Sequence, residues 1–193
     1  MNNYTQYTDA ELVTMYATGN NEAFDCLLLR HKDRLYSYIL LTVKNDTVAD
    51  DIFQETFVKA IMTIRQNGYR ESGKFGAWLM RIAHNLIGDY YRRANQENII
   101  SNDDFDNEAL PSHKLSDMAE ANDGYSEDIL QQARQLMERL PEEQREVVFM
   151  RIYQDLTFKE IAEATGVSIN TALGRMRYAT INMRRMANEM NLF

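Results

Sequence analysis

The 193-residue chain contains one cysteine, two prolines and eight glycines, and each scarcity excludes something. A lone Cys26 cannot close an intramolecular disulfide or supply a cysteine zinc cluster, and it suits a reducing compartment. With proline only at Pro111 and Pro141 and glycine rare, few residues interrupt the apolar periodicities, which favours helices. No apolar run approaches the ~20 residues that a bilayer-spanning helix needs. The N-terminus, Met1-Asn2-Asn3-Tyr4, shows no basic segment followed by an apolar one, so no secretory leader is expected. The phosphate-binding Gly-Lys-Ser/Thr loop is missing. His31, His84 and His113 are isolated, none with a carboxylate or a second histidine at ligand spacing on a convincing face. A cytoplasmic protein without direct membrane insertion is expected, with no catalytic residue, no metal site and no cofactor.

A formal net charge of −8 looks wrong for a nucleic-acid binder, so its distribution matters more than its sum. Between Gln96 and Asp128 there are ten acidic residues and a single base, Lys114, a net of −9. The rest of the chain carries 20 bases against 19 acids, so it is nearly neutral. The acidity therefore belongs to a stretch without apolar periodicity, rich in Asn, Asp and Ser, which reads as a flexible tether. It separates two segments in which periodicity is strong. The predicted architecture is all-α: a four-helix N-terminal domain over residues 1–95, an acidic linker over 96–124, and a C-terminal helical domain over 125–193.

Capping signals and apolar stripes place the helices. Thr8-Asp9-Ala10-Glu11 is a capping box opening a first helix that ends near Gly19. A second runs from about Glu22 to Val43, with Phe24, Leu27, Leu28, Tyr36, Ile39 and Leu40 as its stripe. Thr47-Val48-Ala49-Asp50 reads as another box, opening a third helix that ends near Arg65. The fourth spans about Lys74 to Arg93, with Phe75, Leu79, Ile82 and Leu86 toward the core. After the tether, Ile129, Leu130, Ala133, Leu136, Met137 and Leu140 mark a helix opening near Tyr125, and Pro141 fits the first position of the next.

The sharpest local pattern is Leu156-Thr157-Phe158-Lys159-Glu160-Ile161-Ala162-Glu163-Ala164-Thr165-Gly166-Val167-Ser168-Ile169-Asn170-Thr171-Ala172. Thr157 and Glu160 make a capping box for a short helix. Gly166 stands where a tight turn requires positive φ, and Ser168 is a suitable cap for the helix that follows. Ile161, Ala162, Val167, Ala172 and Met176 supply apolar contacts between the two helices. The second helix is then expected to offer Asn170, Thr171, Arg175 and Arg177 to solvent, as a reader of the DNA major groove does. An ordinary helical hairpin with a solvated basic face is the plainer reading. The coincidence of cap, turn glycine, second cap and basic helix favours helix-turn-helix.

Taken together, Asp51-Ile52-Phe53-Gln54-Glu55-Thr56-Phe57-Val58-Lys59-Ala60, Phe75-Gly76-Ala77-Trp78-Leu79-Met80-Arg81-Ile82-Ala83-His84-Asn85, Leu140-Pro141-Glu142-Glu143-Gln144-Arg145 and the helix-turn-helix resemble the extracytoplasmic-function sigma factors. These are the smallest members of the main bacterial sigma family. The likeness covers about residues 9–95 and 126–187. It implies a sigma factor that binds core RNA polymerase and directs promoter recognition, DNA melting and the initiation of transcription. The first domain would bind the polymerase clamp and open the −10 promoter element, and the second would read the −35 element as duplex. The resemblance also implies an anti-sigma partner.

Each implied role meets a reading of the residues themselves. Asp51, Gln54 and Glu55 cluster opposite the stripe of Ile52, Phe53, Thr56, Phe57, Ala60 and Ile64. That is a solvated acidic face, which the resemblance assigns to the polymerase clamp. Lys74, Trp78, Arg81 and Asn85 recur at i, i+4, i+7 and i+11, with Tyr69 and Arg70 before them and Tyr90, Tyr91, Arg92 and Arg93 after. Aromatics interleaved with cations suit single-stranded DNA, since cations hold phosphates while rings take unstacked bases. By family position Asn85 would capture a flipped base, in a pocket shaped by the loop from Gly68 to Lys74. Trp78 fits either the core or the DNA face. For the −35 duplex the implied contacts are Thr157, Lys159, Asn170, Thr171, Leu173, Gly174, Arg175 and Arg177.

The recognition helix departs from the family pattern. Leu173, Gly174, Tyr178 and Thr180 stand where Lys or Arg, Ser, Arg and Arg are common. Gly174 costs about 1 kcal/mol against Ala in a helix interior, which points to a close approach of its backbone to DNA or to a neighbouring helix. Two other functions compete. A stand-alone helix-turn-helix regulator would not need the Trp78–Asn85 face, and a nucleic-acid enzyme with a helical domain would need a metal cluster or nucleotide loop.

Overall fold

The computed structural model of the chain describes residues 4–66, 68–70, 73–98 and 127–190. Those residues form a 3-10 turn, Tyr4–Gln6, and eight α-helices: α1 Asp9–Ala17, α2 Asn21–Val43, α3 Asp46–Arg65, α4 Phe75–Asn98, α5 Glu127–Glu138, α6 Glu142–Ile152, α7 Phe158–Thr165 and α8 Ile169–Glu189. No strand occurs among them, and none of their helices is long and apolar enough to cross a membrane. The chain divides into two compact units, the first ending at Leu110 and the second beginning at Pro111.

Local chemistry sets the helix boundaries. Thr8 caps α1 by accepting from the Glu11 N–H, while the Glu11 carboxylate accepts from the Thr8 N–H at 2.7 Å, a complete capping box. The third helix starts differently from expectation. Its cap is Asn45, whose side chain accepts from the Val48 N–H at 3.0 Å, so Thr47 lies inside the helix. An amide side chain caps at least as well as a threonine. Pro141 is likewise shifted by one position: it is the residue preceding α6, not its first helical residue. The fourth helix outruns its expected end near Arg93 and reaches Asn98. The acidic stretch is thus partly helical, with Glu97 in α4, and Glu127 and Asp128 in the first turn of α5.

In the first unit α1 to α4 enclose Leu12, Leu27, Leu35, Tyr38, Ile39, Phe75, Leu79 and Leu86, all at most 2 % exposed. Aromatic edges lock α1, α2 and α3 together: Tyr16 meets Phe24 at 4.7 Å, Phe24 meets Phe57 edge-on at 6.1 Å, and Phe53 reaches Tyr36 at 5.6 Å. Such pairs add about 0.5–1.5 kcal/mol beyond their buried area. On α4 the buried face is Phe75, Leu79, Met80, Ala83, Leu86 and Ile87. Ile82, expected in that stripe, is only half-buried. Ala83, the next residue, is fully buried.

A polar cluster ties the start of the chain to this core. Asp9 on α1 accepts from His31 Nε2 at 2.7 Å and pairs with Arg30 at 2.9 Å, both on α2. Arg30 also donates to the Tyr4 carbonyl at 3.1 Å. The His31 ring packs on Phe75 at 5.3 Å, and a Cβ on Gly76 would stand 3.2 Å from it, so glycine is what lets α4 come this close. His31 has no carboxylate at ligand spacing along the chain. It has one from another helix, which spacing along the chain does not reveal. Among the described residues no group of three or more His, Cys, Asp or Glu is arranged to hold a metal.

In the second unit Val147, Phe149 and Met150 of α6, Ile161 of α7, and Ala172 and Ala179 of α8 are fully buried. Gln144 on α6 accepts from the Asn182 amide on α8 at 2.8 Å, and Arg151 donates to the Leu156 carbonyl at 3.0 Å, bracing the segment that leads into α7.

The His31 hydrogen bond holds the Asp9 carboxyl below its ordinary value of 3.8, with the Arg30 pairing acting in the same direction against the cost of burial. A depressed carboxylate stabilises the fold above its unfolded value and loses that contribution as the pH falls through the folded one. Asp9→Asn should therefore destabilise the first unit by about 1–3 kcal/mol at neutral pH. The gap to wild type should close below about pH 4. Thermal melts from pH 7 to pH 2 check this, and a gap that persists at the lowest pH would remove the ionised carboxylate as its cause.

Candidate nucleic-acid interface

Helix α8 owes its placement to the turn before it. Thr157 caps α7 with a second complete box, its hydroxyl accepting from the Glu160 N–H and its own N–H donating to the Glu160 carboxylate at 2.7 Å. Gly166 ends α7 at φ +70°, the left-handed region where an L side chain is strained. Both its N–H and that of Val167 reach the Ala162 carbonyl. Ser168 then caps α8, accepting from the Thr171 N–H at 3.0 Å. Two helices joined by this turn form a helix-turn-helix with α8 in the reading position.

With Ala172, Ala179, Met186 and Ala187 packed inward, and about 100° per residue, the outward face of α8 is centred on Asn170, Arg177 and Ile181. Leu173 and Arg184 flank them on one side, Gly174 and Arg185 on the other. Asn170, Thr171, Leu173 and Arg177 are exposed, as are Thr157 and Lys159 at the start of α7. Arg175 departs from expectation. It lies beside the packed face, its side chain only 20 % exposed, and pairs with Glu143 of α6 at 3.2 Å. A Cβ on Gly174 would meet nothing within 4 Å, which removes the neighbouring helix as the reason for this glycine. The exposed Arg184 and Arg185 were not among the expected contacts, although their charge and spacing from Arg177 were legible.

The fourth helix turns Trp78, Arg81, Asn85 and Arg92 outward, and Arg81, Asn85 and Arg92 are exposed. Trp78 is half-buried, its ring 4.4 Å from Tyr69 and 5.7 Å from Phe75. The core-or-surface question therefore resolves into both: one side of the indole caps the core through Phe75, and the remainder stays open beside Tyr69. Lys74 is half-buried, and Arg70 is exposed in the preceding loop, whose residues 71 and 72 lie outside those described. Arg92 forms an ion pair with Asp89 one turn back. His84 on the same helix lies 3.1 Å from the Tyr38 hydroxyl, and His113 lies outside the described residues. Tyr91 is turned to α2, donating to the Thr42 carbonyl at 2.9 Å.

Arg93 leaves this row. With Tyr90 and Ala94 it lines a groove whose far wall is Val48, Asp51, Ile52 and Glu55 of α3. The structure thus brings one cation expected at DNA to the acids expected at the polymerase. Asp51, Gln54 and Glu55 are all exposed, and Glu55 pairs with Lys59 at 3.1 Å on the helix surface. Behind them Ile52, Thr56, Phe57, Ala60 and Ile64 are buried, while Phe53 of the expected stripe is half-buried against Tyr36 and Phe57.

Comparison with known proteins places these features in one family. Residues 27–97 match Sigma-70 region 2, and residues 130–172 match Sigma-70, region 4. The chain is 27% identical to the RNA polymerase sigma-H factor of Pseudomonas aeruginosa, over 89% of this chain and 90% of that one. It is 26% identical to the ECF RNA polymerase sigma-E factor of Haemophilus influenzae, with the same coverage of 89% and 90%. Against the ECF RNA polymerase sigma factor SigM of Mycobacterium tuberculosis identity is 29%, covering 95% of this chain and 87% of the relative. The fold is similar to the sigma factor RpoE of Bartonella quintana, solved in complex with the anti-sigma factor NepR: TM-score 0.68, 21% identity, covering 86% of this chain and 96% of that one. It is also similar to CnrH in complex with the cytosolic domain of CnrY, at TM-score 0.64 and 23% identity over 94% and 97% of the two chains. With both sigma-70 regions matched in order, and relatives aligned over nearly the whole length, the chain belongs to the extracytoplasmic-function group of the sigma-70 family of RNA polymerase sigma factors.

Proposed function

We propose that this sigma factor docks on core RNA polymerase through Asp51, Gln54 and Glu55, opens the −10 element on the outward face of α4, and reads the −35 element as duplex with α8. The observation that carries the reading is the outward row of α4. Trp78, Arg81, Asn85 and Arg92 share one face, on which the indole packs against Phe75 and Tyr69 and Arg92 pairs with Asp89 of its own helix. A stand-alone helix-turn-helix regulator has no use for such a row. Arg70, Lys74, Arg81 and Arg92 would hold the strand by its phosphates, Tyr69 and Trp78 would stack on unpaired bases, and Asn85 would meet a base edge with a donor and an acceptor.

The labour divides along the chain. Residues 1–95 hold the polymerase and −10 functions, and residues 125–193 the −35 function. The acidic residues between act as the tether, shortened at its start by α4, which runs to Asn98. Arg93, facing Asp51 and Glu55 across their groove, belongs with the polymerase-binding group. The protein works in the cytoplasm, where polymerase is. An anti-sigma factor is a fitting partner, as one is for the RpoE protein of similar fold.

Asn85→Ala should leave −35 duplex binding unchanged yet slow promoter opening about ten-fold, for a lost base-edge contact of about 1–3 kcal/mol. Permanganate reactivity of the melted strand reads this directly, and equal reactivity in mutant and wild type would take Asn85 out of the site. Reversing Gln54 and Glu55 to Lys should abolish association with core polymerase while the melting temperature holds, since exposed positions usually stay within about 0.5 kcal/mol. Unfolding of that variant would instead mean that the face is structural. Arg177→Ala should weaken duplex binding several-fold or more. Arg175→Ala should chiefly lower the stability of the second unit, by up to about 1 kcal/mol. Anisotropy and melting of both variants separate the two, and equal losses of affinity would return Arg175 to the interface.

A further inference from the structure

One flank of the outward α8 face carries an apolar side chain where a DNA-binding helix commonly places polar ones. Leu173 is 44% exposed, three residues after Asn170 and four before Arg177, so all three lie side by side on the helix surface. Ile169, one turn earlier, is 45% exposed on the same side. Neither is turned to the core, which at this level of the helix is filled by Ala172. The surroundings are those of a nucleic-acid surface: Lys159, Arg177, Arg184 and Arg185 are exposed nearby, and Gly174 leaves an open notch beside Leu173.

A leucine pressed into a major groove has few acceptable neighbours. Over the guanine O6 and N7 or the cytosine amine it would strip water from polar atoms and offer no hydrogen bond in return. The thymine C5-methyl is the one apolar group that the bases display on that edge. Resting on the reading that α8 enters the −35 duplex, the geometry points to Leu173 as a specificity residue that contacts a thymine methyl, flanked by base pairs read through Asn170 and Arg177. Ile169 extends the apolar contact toward the start of the helix. The substitution of an alkyl group for a cation at this position therefore exchanges affinity for any phosphate for preference at one base.

The test removes the methyl alone. Duplexes are selected from a randomised −35 library with the full-length chain bound to core polymerase, and each thymine of the selected sequence is replaced singly by deoxyuridine. Binding should weaken about three- to five-fold at one or two thymines, the worth of one buried methyl group. In Leu173→Ala, whose fold is checked by circular dichroism and melting, that sensitivity should disappear at the contacted position while hydrogen-bonded positions keep their preference. Sensitivity that persists unchanged in Leu173→Ala, or a selected duplex indifferent to every thymine methyl, would overturn the assignment and leave the −35 reading standing. Failure to select any duplex over salt-sensitive background binding would overturn the −35 reading, and this assignment with it.

Discussion

An amphipathic helix can give only one face to its neighbours, and the face it gives decides what the other can offer. In this chain that constraint sets nearly everything. Leu79, Ala83 and Leu86 pull α4 onto the core, and Trp78, Arg81 and Asn85 are thereby turned out. Phe57, Ala60 and Ile64 bury one side of α3, and Asp51, Gln54 and Glu55 take the other. Ala172 and Ala179 seat α8, which turns Asn170, Leu173 and Arg177 outward. The ion pairs on these faces, Glu55 with Lys59 and Arg92 with Asp89, lie within single helices. Each face is positioned by burial on the opposite side, where apolar area contributes roughly 25 cal/mol per Å².

The same constraint explains which site residues were legible in the sequence. Motif position suggested Arg175 for the DNA face. At about 100° per residue it stands next to Ala172 and Ala179, and there it meets Glu143. The helical wheel carried that information, and the motif hid it. Arg93 is the parallel case on α4, lying toward α3 although it adjoins Arg92 in the chain. Trp78 was ambiguous because the residue is amphipathic in place, with Phe75 behind it and Tyr69 beside it.

The fold was legible wherever the determinant was local. Thr8 with Glu11, Thr157 with Glu160, Gly166 and Ser168 act within four residues, and all stand where they were expected. At the start of α3 the expected Thr47 box gives way to Asn45, two residues earlier, whose side chain accepts from the Val48 N–H. Determinants between helices were invisible. Nothing in the spacing of Asp9, Arg30 and His31 announces that α1 and α2 bring them together, nor that Gly76 is needed beside the His31 ring. The far end of α4 was misjudged because apolar periodicity stops before the helix does.

Charge presents a final constraint on how such a protein meets DNA. Of the cations that the sequence offers for phosphate contact, Arg92 is paired with Asp89 and Arg175 with Glu143, so the folded units present less positive charge than a residue count implies. Phosphate contacts provide most of the sequence-independent affinity for duplex. With those contacts few, and a neighbouring segment carrying a net −9, a bare electrostatic grip is weak and strongly sensitive to salt. What remains on the proposed DNA faces is suited to discrimination: an amide, an alkyl group and the guanidiniums of Arg177, Arg184 and Arg185 on α8, and an amide beside aromatic rings on α4. A surface of that composition gains little from arbitrary DNA. It is useful only when something else brings it to the promoter and holds it there, and a subunit that rides on core polymerase is delivered in that way. On the docking proposed for α3, its acidic face and the faint positive charge of the folded units are two halves of one arrangement, in which the polymerase supplies the grip and the sigma factor supplies the choice.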